Sequence, residues 1–178
     1  VNATITANFQ IKTYTLTYSA GANGTITGTT TQTINHGASG TAVTAVPATG
    51  YHFVNWSDAS TDNPRTDTNV SAGLTVTANF AIDQYTVTFV EGANGTIAGT
   101  KVQTINHGSS CSAVTPVPNT NYIFNGWTGG FTGTDNPLTI TNVTGNLTVT
   151  ANFIKTTANA GPTFVSTAVK VIKEDTPY

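Results

Sequence analysis

Charge is what this sequence has least of: charged residues make up 8% of its 178 positions, against about 25% in an ordinary globular chain. Six Lys and Arg set against eight Asp and Glu leave a formal net charge of −2. That balance offers no electrostatic footprint for nucleic acid or for an anionic membrane surface. Three of the cations, Lys155, Lys170 and Lys173, lie towards the carboxy-terminal end, so the body of the chain is nearly without positive charge. The one cysteine, Cys111, excludes an internal disulfide framework and a thiolate zinc site. No apolar run reaches transmembrane length, so no membrane insertion is expected of this segment. No window of a dozen residues keeps helical periodicity, and helix should be scarce. Ser, His and carboxylate never recur together, and no Gly-x-Ser-x-Gly elbow is present, so nothing points to nucleophilic catalysis or to a cofactor.

What the chain does have is Thr, Asn and Gly arranged in alternation. Leu74-Thr75-Val76-Thr77-Ala78-Asn79-Phe80 returns as Leu147-Thr148-Val149-Thr150-Ala151-Asn152-Phe153, and a worn copy is Ala3-Thr4-Ile5-Thr6-Ala7-Asn8-Phe9. Apolar side chains at every second position mark a strand with one face buried. The duplication reaches further than this strand. Tyr14–Trp56 and Tyr85–Trp127 are identical at 27 of 43 positions without a gap. Repetition of this kind predicts two modules, 14–80 and 85–153. Residues 1–9 read as the last strand of a preceding repeat, 154–162 as a linker, and 163–178 as the start of a different β domain or an exchanged strand. Modules near 70 residues bury only about 60% of their unfolded surface, so each should gain from packing on a neighbour.

Within each repeat the pattern predicts short strands. Tyr14–Tyr18 and Tyr85–Phe89 alternate, and the Asn23-Gly24 and Asn94-Gly95 pairs that follow suit tight hairpins. A second strand is expected to end at Gln32–Ile34 and a third to lie around Val43–Val46, stopped by Pro47. A fourth runs from Tyr51 to Trp56. The odd spacing from Phe53 to Trp56 predicts a bulge or a bend there. Segment 57–73 reads as a loop with one short strand near Asp67–Val70. Four-residue links, Gln10–Thr13 and Ala81–Gln84, would join the units.

Tyr-x-Phe-x-x-Trp, then Asn-Pro, then Val-Thr-Ala-Asn-Phe, is carried by Tyr51, Phe53, Trp56, Asn63, Pro64 and Val76–Phe80, and again by Tyr122, Phe124, Trp127, Asn136, Pro137 and Val149–Phe153. This string resembles the divergent InlB B-repeat family, also called Listeria–Bacteroides repeats. The resemblance implies small β-grasp-like modules along bacterial surface proteins, some of them adhesins, with first and last strands parallel at the sheet centre. In the second copy Asn121 departs from the glycine expected before the aromatic. Residues 173–178 resemble the opening of a cadherin-like or Ig-like module.

Candidate residues divide into core and joint. Trp56, Trp127, Phe80, Phe153, Tyr51, Tyr122, Phe53 and Phe124 are expected to form the structural core. An exposed Trp56 or Trp127 would instead stack on a sugar. Ile11 and Ile82 are the expected apolar pins between modules. His36 and His107 recur in one Ile-Asn-His-Gly context, and a locally packed turn histidine explains them better than a metal site, since no second shared ligand is near. Asp62 and Asp135 are expected to cap their Asn-Pro turns rather than bind calcium. Together these features predict a non-catalytic spacer of an extracellular surface protein or adhesin. Its partners would be neighbouring modules, other copies of itself, or a host protein or glycan. A self-assembling fibre built by strand exchange is the alternative, and a glycan-binding module the second.

Overall fold

The computed structural model describes residues 2–156. Val1, positions 157–162 of the expected linker and the 163–178 stretch lie outside the described residues. Module 1 contains Thr13–Ala20 (β1), Gly24–Thr27 (β2), Thr31–Asn35 (β3), Thr44–Pro47 (β4), Tyr51–Trp56 (β5) and Leu74–Ile82 (β6). Module 2 contains Gln84–Glu91 (β7), Gly95–Ala98 (β8), Val102–Asn106 (β9), Thr115–Pro118 (β10), Tyr122–Gly129 (β11) and Leu147–Lys155 (β12). No helix occurs among the described residues.

Each module pairs a four-stranded sheet with a two-stranded ribbon: β3-β1-β6-β5 with β2-β4, and β9-β7-β12-β11 with β8-β10. β1 lies parallel to β6, with Leu16 opposite Leu74 and Tyr18 opposite Val76, and β7 lies parallel to β12 in the same way. Alternation turns Leu16, Tyr18, Val76 and Ala78 to the inner face, where they meet Val43 and Ala45 from the ribbon side and Val70 from the 57–73 segment. The outer face carries Thr15, Thr17, Thr75 and Thr77, which is how so few charges suffice to solvate the molecule. The expected bulge is present: register shifts between Phe53 and Asn55, and between Phe124 and Gly126. Both strands thereby keep the Phe and the Trp on one face.

Three local expectations fail. Asn23 and Asn94 do turn with positive φ, at 69° and 71°, but the strands they join do not pair. β1 pairs with β3, and β2 with β4, so the expected second strand is two strands in different sheets. The reason lies at Gly24, over which the ring of Phe80 is seated; a Cβ there would stand 2.6 Å from Phe80 Cε1. The chain crosses the inner face at this point instead of folding back beside β1. Gly24→Ala should cost about 1–3 kcal/mol by overpacking. A chemical-denaturation midpoint unchanged within error would refute that contact.

The third failure is the strand near Asp67–Val70, which does not form. Its backbone groups are taken by the 37–40 turn, with Gly40 N donating to Asp67 O at 2.9 Å and Gly37 N to Val70 O at 2.8 Å. A ladder needs consecutive partners on one strand, and these are scattered. Gln32 braces the same region from within. Its Nε2 donates to Thr29 O and Thr41 O, and its Oε1 accepts from Thr41 N. Gln103 repeats the arrangement in module 2, so each buried amide is satisfied.

Candidate functional site at the module joint

The joint is tighter than a four-residue link. Ala81 and Ile82 remain in β6, opposite His52 and Tyr51, and Gln84 already belongs to β7. Asp83 alone stands between the strands, and every polar group it offers is engaged. Its amide donates to Gly50 O at 2.8 Å and its carbonyl accepts from His107 N at 2.8 Å. Its carboxylate accepts from His52 Nδ1 at 2.8 Å. One residue is therefore fastened to both modules at once.

His107 adds a steric contact to these bonds. Its ring lies against Tyr85, centroids 5.9 Å apart, and also against Gly50 of module 1. A Cβ on Gly50 would stand 2.5 Å from His107 Cγ and 3.0 Å from Nε2, so any side chain there would have to push the ring out of its seat. His107 Nδ1 is buried and has no hydrogen-bond partner; the ring is held by packing. Ile82 is half-buried beside Tyr51, whereas Ile11 is 58% exposed. Sequence reading had no route to the Gly50–His107 pair, because the two residues come from different modules 57 positions apart.

The remaining candidates lie inside the modules. Trp56 and Trp127 are 0% and 1% exposed, and their Nε1 atoms donate to Asp62 O and Asp135 O at 2.8 Å. Phe53 touches Trp56 and Phe80 edge-on, and Phe124 does the same with Trp127 and Phe153. Tyr122 packs against the second core, while Tyr51 is half-buried at the joint. Neither indole offers a face to a sugar ring.

Module 1 also holds a charged cluster that residue spacing did not reveal. Arg65, buried, donates from Nη1 and Nη2 to Asp58 at 2.9 and 2.7 Å, and from Nε and Nη2 to Asp67 at 2.9 and 2.7 Å. Tyr18 Oη donates to Asp67 at 2.6 Å. The guanidinium sits 5.5 Å from the Trp56 ring centroid, within cation–π range. The Arg65 hydrogen bonds hold both carboxyls below the usual carboxylate range. Burial, reinforced by the bond to Asp67, pushes the Tyr18 phenol up. The available clue was the second repeat, where the positions of Tyr18, Arg65 and Asp67 hold Phe89, Leu138 and Ile140: apolar counterparts mark a buried site.

A shallow depression of about 240 Å³ opens beside this cluster, between Leu16 and segment 67–74. Asp67 is the one ionisable side chain in its lining, and both its oxygens are already hydrogen-bonded.

A family model, that of the divergent InlB B-repeat domain, matches residues 14–84 and again 85–157. No curated protein and no solved structure matches the chain.

Proposed function

The chain belongs to the divergent InlB B-repeat family, and from that premise we propose that it is a non-catalytic, structural spacer segment of a bacterial extracellular surface protein or adhesin. The observation that carries this reading is the joint. A single residue, Asp83, is fastened to Gly50 on one side and to His107 on the other. A linker so short and so fully bonded holds two modules at a set distance and angle, which is what a spacer contributes. Ionisable groups support it too, since among the described residues the buried charged cluster around Arg65 has its partners inside its own module.

The fibre reading draws on Ile5 and Phe9, which are 94% and 95% exposed in a segment with a strand's alternation. Residues 3–9 are the counterpart of 74–80, and that strand occupies the centre of its sheet, between β1 and β5. Among the described residues the two central places are filled by β6 and β12. Strand exchange would have to displace one of them, so the spacer reading stands first. Sugar stacking has no exposed tryptophan to use.

Sedimentation with small-angle scattering tests the proposal. The 178-residue chain should stay monomeric as concentration rises and show a narrow spread of inter-module distances. Ile82→Asp should broaden that spread while both modules stay folded, because it places a charge in the half-buried seam beside Tyr51. A broad spread in the unaltered chain would sink the spacer reading, and mass growing with concentration would favour the fibre.

A further inference from the structure

The two modules present the same turn in different surroundings. His36 lies on Tyr14 at a centroid distance of 5.9 Å, the distance found between His107 and Tyr85. His36 N donates to Lys12 O at 2.8 Å, as His107 N does to Asp83 O. Yet His36 is exposed and His107 half-buried. The difference is the cover: module 1 places Gly50 over His107, whereas no described residue covers His36 in that way.

The opposite ends differ as well. Thr156 N donates to Asn121 O at 2.8 Å, as Asp83 N does to Gly50 O, so module 2 ends in the backbone arrangement that receives a turn histidine in module 1. The position equivalent to Gly50, however, is Asn121. Both residues have left-handed backbone, φ +79° at Gly50 and 68° at Asn121, a region asparagine tolerates better than most side chains. Asn121 therefore keeps the backbone of the socket but carries a Cβ at the position where one on Gly50 would meet the His107 ring.

We propose that the Asn35-His36-Gly37 turn is an open docking surface for the glycine-bearing end of another module of this kind, and that Asn121 closes the corresponding end of module 2 to such a turn. The occupant is a repeat with glycine before its strand aromatic, as at Gly50-Tyr51. The ground for this choice is continuity with the joint already formed, where the same turn receives that end. Locked addition is then head-to-tail and one-directional. The inference rests on the spacer reading and adds which end a further rigid module can join.

Tandem duplication tests it. In one chain a copy of Thr13–Asp83 is inserted directly before Thr13, so that the copy's Gly50 meets His36. In another the same copy is inserted after Thr156, so that its own His36 meets Asn121. Amide relaxation by NMR reads whether modules tumble together. The first chain should show a single rotational-diffusion tensor for all three modules, with a nuclear Overhauser contact between the His36 ring and the copy's Gly50. Gly50→Asn in the copy should abolish both while the copy stays folded, since Asn121 shows that asparagine accepts this φ. The second chain should show an independently tumbling copy, and Asn121→Gly should couple it. An independently tumbling copy in the first chain, an unaffected Gly50→Asn variant, or a coupled copy facing unaltered Asn121 would each overturn the inference. Those results leave the spacer reading intact as long as modules 1 and 2 of the unaltered chain tumble together; loss of that coupling would remove the spacer reading itself.

Discussion

Trp127→Ala should unfold module 2 at physiological temperature and leave module 1 folded. Removing a fully buried indole costs about 3–5 kcal/mol, the lost transfer energy plus the cavity left behind. Domains carry roughly 0.05–0.15 kcal/mol of stability per residue, so a module near 70 residues holds about 4–10 kcal/mol in all. The substitution takes from about a third to the whole of that. Collapse is poorly able to heal the cavity, because the indole is 5.3 Å from the Phe124 ring and 6.0 Å from Phe89 on separate strands. The Asp135 carbonyl also loses its donor, which adds about 1–3 kcal/mol if the group stays buried. Module 1 has its own core around Trp56 and its own sheet, and what goes is the joint: the Gly50–His107 contact and the bond from His107 N to Asp83 O. Calorimetry should resolve two transitions in the unaltered chain and lose the module 2 peak in the variant, whose amide spectra should keep the residue 13–82 signals. Joint melting of both halves would show the modules to be one cooperative unit and refute the prediction.

The residues that were legible in the sequence are those whose role is set by neighbours close along the chain. Alternation in β1 and β6 fixes which side chains face inward, and two apolar residues separated by an odd step, Phe53 and Trp56, require a bulge if both are to be buried. Duplication locates the modules, and the family resemblance supplies the parallel centre that is found between β1 and β6. What was not legible depends on long-range partners. The split between β2 and β3 follows from Phe80 over Gly24, more than 50 residues away. The lack of a strand at 67–70 follows from the 37–40 turn taking its backbone groups. Gly50 reads locally as a turn glycine, and its φ of +79° agrees, but its neighbour His107 belongs to another module. Even there the sequence holds half the answer. Asn121 supports the same turn, so backbone freedom alone does not demand glycine, and the absence of a side chain at Gly50 has a separate, steric cause.

Arg65→Leu alone should cost module 1 about 3 kcal/mol, whereas Arg65→Leu combined with Tyr18→Phe and Asp67→Ile should return it to within about 1 kcal/mol of the unaltered chain. Removing one member of a buried ion pair leaves the other uncompensated, at about 3–5 kcal/mol. The lower figure applies because the Asp58 and Asp67 side chains keep 36% and 21% of their exposure and recover some hydration. The triple change installs the residues module 2 already uses, Phe89, Leu138 and Ile140, all three buried in its core. Replacing a satisfied charged group by packed apolar side chains is commonly neutral or stabilising, and members of one network are strongly non-additive. The charged version carries a pH dependence that the apolar version lacks. Asp58 and Asp67 have folded-state pKa values below their ordinary 3.8. Their stabilisation is therefore present above that value and is lost as pH falls through the lower folded values. Tyr18 has a folded-state pKa above its ordinary 10.0, so its contribution is whole below pH 10 and is lost as pH rises beyond it. Module 1 should thus soften more than module 2 at both extremes, because module 2 has Phe89 and Ile140 in those places. Module 2's own shifted groups are the exposed Glu91, held low by its bonds from Ile97 N and Lys101, and the Cys111 thiol, pushed up by burial. Calorimetric scans across pH on the unaltered chain and the triple variant check this. Equal acid sensitivity of the two transitions, or a triple variant no more stable than Arg65→Leu, would show that the cluster is not what distinguishes the modules.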